Sequence, residues 1–352
     1  MKKNAPLIAV DDYFQQFIKA SVSGKRVTGS GKRISSGTVK NYQYVQKMLL
    51  EFEQKKQITL RVQLLNRASM RTLQKEKNYW NRFYVQFSNF LYKEKGYFDN
   101  YVSSTFKILK TFFNYLQTDK GFSVGNYYKA FKIPQQVFPP VVLQPEQLQF
   151  LITNKEFEAN LSPYLKRVKD IFIFGCTIAL RVSDLMKLEK KHIISNGEEV
   201  YLKLFTQKTG TEVKIPLPDY AVTIINRYKY KAGKYVLPRL SNTNINIQVK
   251  KLVKKAGWDF TLVKSMSRQG KIQEVKNPNG KSWQFYQHIT AHTMRRTAIT
   301  TLLIMGVPEL VVRKISGHAP GSKEFYRYVA IAQDYMSKEV KIAYKKLIET
   351  EF

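Results

Sequence analysis

The chain has 352 residues, of which 43% are hydrophobic, and its single cysteine is Cys176. This composition excludes a disordered chain, and no run approaches the length of about 18 apolar residues typical of a membrane span. One cysteine excludes an internal disulfide bond and a zinc site built from several Cys and His ligands. We also find no signal peptide in the first residues, so the sequence favours the reducing cytoplasm.

The chain is strongly basic along its whole length. It carries 59 lysines and arginines against 26 aspartates and glutamates, a formal net charge of +33. Residues 1–138 contain 24 basic and 8 acidic side chains, and the remaining residues contain 35 and 18. A neutral domain with one basic tail would not show this distribution. Two basic parts are typical of a clamp around a polyanion, which indicates a nucleic acid as the partner.

Residues 1–133 have the apolar spacing of a helical domain. Apolar residues recur every three to four positions, which predicts helices over 8–22, 38–55, 75–95 and 100–118. The aromatic residues of the third helix can stack nucleic-acid bases, but at helical spacing they favour a core. A basic Gly/Ser loop separates the first two helices. It is either a flexible surface loop or a segment that lies along a phosphate backbone, and its candidates for that contact are Lys25, Arg26, Lys32 and Arg33.

A proline-containing linker, residues 134–143, separates this domain from a second one, residues 144–352. The second domain is predicted to be mainly helical. Alternating apolar residues over 199–204 and 212–217 predict a β-hairpin, and a second hairpin is expected around Gly270.

The stretch Ala291–Tyr328 concentrates side chains that suit a phosphate. His292 and Arg295 are three residues apart, so they share one face of a helix that Thr290 can cap. A second helix ends before His318. A third, short helix is expected to carry Phe325, Tyr326 and Tyr328, with a separate helix over 335–349. Cationic and neutral donors with a phenol fit a phosphate better than a metal or a sugar.

The order of these residues resembles a known signature. H-x-x-R (His292–Arg295), then G-H, then a tyrosine about ten residues later is similar to the C-terminal half of the tyrosine recombinase (phage integrase) signature. ALRVSDLMKL, residues 179–188, resembles the first arginine box, with Arg181 at its arginine and Asp184 at its acidic position. Lys208, in the predicted hairpin, stands where the family carries its lysine.

The resemblance implies a mainly α fold with small β-hairpins (α+β). Its parts would be an all-helical, SAM-like core-binding domain and a tyrosine-recombinase catalytic domain with a C-terminal coupling helix. It also implies an enzyme that cleaves and rejoins DNA through a 3′-phosphotyrosyl intermediate. That intermediate conserves the bond energy, so neither a cofactor nor a metal is expected.

The resemblance assigns a role to each matching residue. Arg181 and Arg295 would clamp the phosphate oxygens, since guanidinium groups are planar, bidentate donors that stay charged. His292 and His318 would add hydrogen bonds, and one of them can help to deprotonate the nucleophile. Lys208 would protonate the leaving 5′-oxygen.

Two further residues have supporting roles in this interpretation. Asp184 would orient a neighbouring histidine or arginine. Arg296, at i+4 from His292, is either a second phosphate ligand or a backbone contact, and the motif favours Arg295 as the ligand.

Two tyrosines compete for the nucleophile. Family members usually place it about nine residues after the histidine, whereas Tyr326 is at +8 and Tyr328 at +10 from His318. The local pattern F-x-R-Y resembles integrases of Bacteroides-type mobile elements, and Pro320-Gly321 can hold an extra residue. We therefore predict Tyr328, with Tyr326 as the alternative.

The expected partners are double-stranded DNA and three further copies of the chain, as a homotetramer on two DNA sites in the cytoplasm at the nucleoid. No membrane partner is expected. A type IB topoisomerase shares the tyrosine and arginine chemistry and is one alternative. A non-catalytic DNA-binding regulator derived from a recombinase is another.

Overall fold

The computed structural model describes residues 6–197, 199–207, 210–231 and 233–349. The chain forms two units. The first contains the residues up to Val137 and a later segment, Ser265–Glu274, and the second contains Phe138–Lys264 and the chain from Val275 onward. Among the described residues, no helix combines the length and the hydropathy needed to cross a membrane.

The first unit is mainly helical, as predicted. Serines cap two of its helices, since Ser35 Oγ accepts a hydrogen bond from Thr38 N–H and Ser69 Oγ accepts one from Thr72 N–H. A short antiparallel strand pair, which the apolar pattern did not indicate, joins its two ends. The described elements are β1 (Leu7–Ala9), α1 (Val10–Ser23), α2 (Ser36–Lys56), β2 (Arg61–Gln63), α3 (Met70–Asn89), a π-helical turn (Phe90–Glu94), α4 (Asp99–Thr118) and a 3₁₀ turn (Asn126–Ala130).

Aromatic side chains fill the core of the first unit. Trp80, Phe83 and Phe87 on α3 are each at most 3% exposed, and they pack against Phe106 and Phe113 from α4 or its neighbours. Burial of one such ring contributes roughly 1.5–3 kcal/mol to folding. The helical spacing of these aromatics therefore serves packing, which confirms the core interpretation over base stacking.

The second unit is built around two buried helices that pack on each other. Its elements are α5 (Pro145–Thr153), α6 (Lys155–Ala159), α7 (Pro163–Ile178), α8 (Val182–Leu185), a 3₁₀ turn (Lys190–His192), β3 (Ile193–Asn196), β4 (Glu199–Phe205), β5 (Glu212–Pro216), α9 (Asp219–Arg227), α10 (Asn242–Lys255), and, after the segment of the first unit, α11 (Phe285–His288), α12 (Ala291–Ile304), α13 (Glu309–Ser316) and α14 (Lys323–Glu349). Gly175 on α7 faces Met294 on α12 so closely that an added Cβ would lie 2.4 Å from the sulfur. A side chain at position 175 would therefore separate the helices that carry the site.

The predicted hairpin is part of a three-stranded antiparallel sheet. β4 pairs with β5 in a register that places Leu202 opposite Ile215 and Leu204 opposite Val213. These four side chains are buried, so one face of the hairpin covers the core. β3 adds a third strand next to β4, and the sequence pattern did not predict it.

The segment of the first unit that comes late in the sequence is the second predicted hairpin, β6 (Ser265–Arg268) and β7 (Lys271–Glu274). It is held by the carboxylate of Asp99, which is 1% exposed at the start of α4. Asp99 accepts hydrogen bonds from Ser267 Oγ at 2.5 Å, from Gln269 N–H at 2.8 Å and from Gly270 N–H at 3.0 Å. One buried carboxylate thus fixes three consecutive turns of backbone and side chain in the hairpin.

The C-terminal part corrects one prediction. The sequence favoured a short helix around Tyr328 and a separate helix over 335–349, but the structure has the single helix α14. No glycine or proline occurs between Lys323 and Glu349, so nothing interrupts the helix. Ala332 is 2% exposed and continues the buried face across the expected break.

Candidate active site

Helix α12 presents three of the predicted residues. It begins after Thr290, whose N–H donates to Thr293 Oγ1 at 3.0 Å, as expected for a capped helix start. Arg295 lies on the inner face at 2% exposed, whereas His292 is exposed and Arg296 is half-buried. The cap thus sets the rotation of the helix that places a guanidinium in the interior.

A left-handed residue shapes the first arginine box. α7 ends at Ile178, and Ala179 adopts a φ of 55°, which is rare for a residue with a Cβ. Its carbonyl accepts a hydrogen bond from Arg295 Nη1 at 2.9 Å. The chain then reverses into α8, for which Arg181 is the N-cap residue. The turn therefore brings both arginines of the signature into one region.

Arg181 and Arg295 form a cationic site with unfilled donor capacity. Arg181 Nη1 is buried and has no hydrogen-bond partner among the described residues. Burial first, and then the charge of Arg181, lower the pKa of Arg295 to about 10. Buried donors without acceptors are costly, and an anion of phosphate size would supply oxygen acceptors to both guanidinium groups.

His318 lies beside Arg295. α13 ends with Gly317 in the left-handed region at φ 63°, and the next residue turns its ring into the site. Arg295 Nη2 is 3.2 Å from His318 Nε2, and Ser316 Oγ is 2.8 Å from His318 Nδ1. Burial and then the charges of Arg295 and Arg181 lower the pKa of His318 to about 3. The ring is therefore neutral at pH 7.

His292 is neutral for a similar reason. Desolvation of its ring, followed by repulsion from Arg296 and Arg295, lowers its pKa to about 4, although the residue as a whole is exposed. Glu324 acts in the opposite direction. Both histidines can thus accept or donate a proton in an environment dominated by arginine.

The two candidate tyrosines lie in different surroundings. Tyr328 is 6% exposed, and its ring centre is 6.0 Å from that of His318. Tyr326 is 52% exposed, and its ring lies 4.9 Å from the guanidinium carbon of Arg313. The structure therefore brings Tyr328 together with the arginines and histidines, and it turns Tyr326 away from them.

The Tyr328 hydroxyl is balanced between opposing influences. Burial raises its pKa, while Arg296 and Arg295 lower it through their charges, and Arg296 also through a side-chain hydrogen bond. Arg296, for which the sequence left two roles open, is thus placed at the phenol oxygen. A phenol that loses its proton here would be stabilised by two cations.

The acidic residue of the arginine box has a partner that the sequence did not predict. Asp184 is 3% exposed, and its Oδ1 accepts a hydrogen bond from the backbone N–H of Gln207 at 3.1 Å. We expected it to orient a histidine or an arginine. Gln207 directly precedes Lys208, and Lys208 itself lies outside the described residues.

The basic loop of the first unit is separate from this site. Residues 27 and 33 form a β-bridge, so the loop is a small turn. Lys25, Lys32 and Arg33 are exposed. The Arg26 guanidinium lies 4.5 Å from the Phe17 ring centre and is already packed within its own unit. The role of these four residues in binding DNA stays a prediction.

Sequence reasoning missed two residues of the site. Ser316, which is 0% exposed, contacts His318, and Glu324 faces His292, Arg295 and Tyr328 through its charge. Glu324 was detectable, because it precedes Tyr328 by four residues on one helix. Ser316 gave no signal, since a serine before a helix-ending glycine is common.

Comparison with known proteins agrees with this geometry. The model of the "Phage integrase family" matches residues 142–334, which is more than half of the chain. The chain belongs to the phage integrase family. It is a site-specific tyrosine recombinase, an enzyme that cleaves and rejoins DNA. None of the curated protein sequences matches it significantly.

Solved structures share the fold of this recombinase at low sequence identity. A lambda integrase fragment, bound as a dimer to a core site, has a TM-score of 0.58 at 16% identity and covers 91% of this chain and 95% of that one. A Tn1549 transposon integrase fragment in complex with circular intermediate DNA gives 0.57, 16%, 91% and 95%. A lambda integrase tetramer bound to a Holliday junction gives 0.56, 15%, 90% and 79%. The mainly α fold with small sheets is thereby confirmed.

The comparisons also separate the alternatives. They favour neither the topoisomerase nor the non-catalytic regulator. The closer likeness to integrases of Bacteroides-type mobile elements stays a prediction.

Proposed function

We propose that Tyr328 is the nucleophile of this recombinase and that Arg181 and Arg295 hold the scissile phosphate. The observation that carries the proposal is the pairing of two arginines, one with a buried unpaired donor, beside a buried tyrosine. In the reaction the Tyr328 oxygen forms a bond to phosphorus while the bond from phosphorus to the 5′-oxygen breaks. Negative charge that develops on the non-bridging oxygens is then stabilised by the guanidinium groups.

Lys208 is the proposed general acid. The leaving 5′-oxygen departs as a hydroxyl only if it receives a proton, and the family signature places a lysine at this position. Support comes from Asp184, which holds the preceding residue, Gln207, next to the arginine box. The 3′-phosphotyrosyl bond is then attacked by a 5′-hydroxyl of another strand, which releases the tyrosine.

We propose that the chain acts as a homotetramer on two double-stranded DNA sites, in the cytoplasm at the nucleoid. One solved structure of similar fold is a lambda integrase tetramer bound to a Holliday junction. The distal part of α14 supports an assembly role, because Met336, Val340, Ile342 and Tyr344 are 42–64% exposed. Apolar side chains on one helix at this exposure are suited to a neighbouring protomer.

Covalent trapping tests the nucleophile. A DNA site would first be selected from a random duplex pool with the Tyr328→Phe variant, and then synthesised as a nicked duplex that loses its 5′-hydroxyl strand on cleavage. We expect wild type and Tyr326→Phe to form an adduct that mass spectrometry maps to Tyr328. Tyr328→Phe should bind the duplex with unchanged affinity and form none. An adduct on Tyr326 would overturn the assignment.

A further inference from the structure

Ser316 is buried at the end of α13, and its hydroxyl contacts three groups. The oxygen lies 2.7 Å from the Val312 carbonyl oxygen and 3.3 Å from that of Arg313. It lies 2.8 Å from His318 Nδ1. The residue is 0% exposed. Its contacts are therefore set by the protein, and the hydroxyl has one proton to distribute among them.

The direction of each hydrogen bond follows from this count. A carbonyl oxygen can only accept, so the Ser316 proton points to a carbonyl, and the Val312 carbonyl is the nearer one. Toward His318 the serine oxygen then acts as the acceptor. Nδ1 must consequently carry a hydrogen. A ring turned over by 180° would place a carbon against the serine oxygen and lose the 2.8 Å bond, so the ring orientation is fixed as well.

The opposite nitrogen is then left with a lone pair. His318 is neutral at pH 7, since its pKa is lowered to about 3, and a neutral ring has one hydrogen, here on Nδ1. Arg295 Nη2 lies 3.2 Å from Nε2, and an arginine can only donate. Both neighbours therefore require the same tautomer, with hydrogen on Nδ1 and an accepting Nε2.

We infer that Ser316 is a positioning residue that holds His318 in the Nδ1–H tautomer, so that Nε2 is the proton acceptor for the nucleophile. The inference rests on the roles proposed for Tyr328 and His318. When a phosphate draws the donors of Arg295 to its own oxygens, Nε2 becomes free. The Tyr328 hydroxyl proton moves to Nε2 as the phenol oxygen bonds to phosphorus, and the bond from phosphorus to the 5′-oxygen breaks with protonation of that oxygen.

This assignment orders the roles of His318. In the free enzyme its Nε2 has no hydrogen to donate to a phosphate. After it takes the tyrosine proton, the ring is an imidazolium with hydrogen on both nitrogens, and it can then donate to the phosphate oxygens. His318 thus changes from acceptor to donor during the step, and Ser316 decides which nitrogen begins as the acceptor.

Nuclear magnetic resonance tests the tautomer directly, without DNA. Histidine labelled with ¹⁵N gives different nitrogen shifts for the two tautomers, and His318→Asn identifies the resonances. We expect the Nδ1–H form in wild type. Ser316→Thr and Ser316→Val differ only in the hydroxyl, so Thr should keep this form and Val should shift toward Nε2–H. An Nε2–H ring in wild type, or an unchanged ring in the Val variant, would overturn the inference.

Cleavage of the nicked duplex supplies the second readout. Ser316→Val and the smaller Ser316→Ala should cleave at least about tenfold more slowly in single turnover, since general base catalysis contributes about 10²–10⁴-fold. DNA affinity should not change, and Ser316→Thr should restore the rate. Thr300→Val is the matched control, because it removes another hydroxyl that is 0% exposed and has no partner among the described residues.

The two readouts separate the inference from the proposed function. If the adduct maps to another tyrosine while the Nδ1–H tautomer depends on the Ser316 hydroxyl, the nucleophile assignment fails and the positioning contact stands. If the adduct maps to Tyr328 while Ser316→Val and Ser316→Ala cleave like wild type, the positioning role fails and the recombinase assignment stands.

Discussion

At the scale of single residues, the phase of a helix decides between the two tyrosines. Phe325 is 0% exposed and packs against His318 with ring centres 5.5 Å apart. Tyr328 follows it by three residues and shares its buried face, while Tyr326 points to solvent. The distance from His318 along the sequence could not decide, because it depends on the loop Ala319–Ser322. The apolar face of the helix carried the information that residue counting lacked.

The histidines predict how stability depends on pH. The pKa is lowered to about 4 for His292 and about 3 for His318, whereas an unfolded chain has values near 6.5. Between these values the unfolded state binds more protons than the folded state. Folding stability is therefore complete above pH 6.5 and is lost as the pH falls toward 4.

Urea unfolding of wild type and His318→Gln at pH 7.5 and 5.0 measures this effect. We expect the wild type to lose more unfolding free energy than the variant between the two pH values. Burial raises the pKa of Asp170 and of Glu53, which acts in the opposite direction but equally in both proteins. An equal loss in the two proteins would contradict the lowered pKa of His318.

At the scale of elements, the contact between Asp184 and Gln207 links the arginine box to the β4–β5 turn. Asp184→Ala removes the acceptor for the Gln207 N–H, so the turn that contains Lys208 loses an anchor. We expect cleavage to slow about tenfold or more, the lower end of what general acid catalysis contributes. DNA affinity should stay unchanged.

A modified substrate checks the reason for that loss. A bridging 5′-sulfur leaves without protonation, so it should restore cleavage by Asp184→Ala and by Lys208→Ala to the same extent. Asp184→Asn keeps an oxygen acceptor and serves as the matched control. If sulfur restores the Lys208 variant alone, Asp184 acts on another group, such as Arg295, whose pKa it also affects.

Long elements could be predicted from the sequence, and short ones could not. The hairpin over 199–204 and 212–217 and the helix over 100–118 agree with the structure within one or two residues at most ends. β1 and β2 have three residues each, too few to show an alternating pattern. Their pairing depends on a partner more than fifty residues away, which local spacing does not contain.

At the scale of the whole molecule, the order of the sequence conceals which residues belong together. We assigned residues 144–352 to one domain, and that domain assignment stays a prediction. In the structure, Ser267 contacts Asp99 across 168 residues of sequence and belongs to the first unit. Its pattern of alternation predicted a hairpin correctly but contained nothing about the surface that the hairpin covers.

Asp99 predicts how much the first unit depends on this hairpin. Burial raises the pKa of Asp99, but the hydrogen bonds from Ser267, Tyr92 and the hairpin backbone prevail and lower it. Asp99→Ala leaves those donors without an acceptor, at a cost of about 1–3 kcal/mol for each buried group. We expect faster proteolysis within 265–274 and a lower urea midpoint. Equal proteolysis of wild type and variant would show that other contacts hold the hairpin.

The position of this hairpin also sets an order of events during synthesis. The first 137 residues leave the ribosome well before residues 265–274 exist. At about 5–20 residues per second, the interval between them is roughly 6–26 s. Through that time the Asp99 carboxylate lacks its three hairpin donors, and the helical unit is an unfinished nascent domain. The DNA-cleaving half of the message must therefore be more than half translated before the first-made half can reach its final fold.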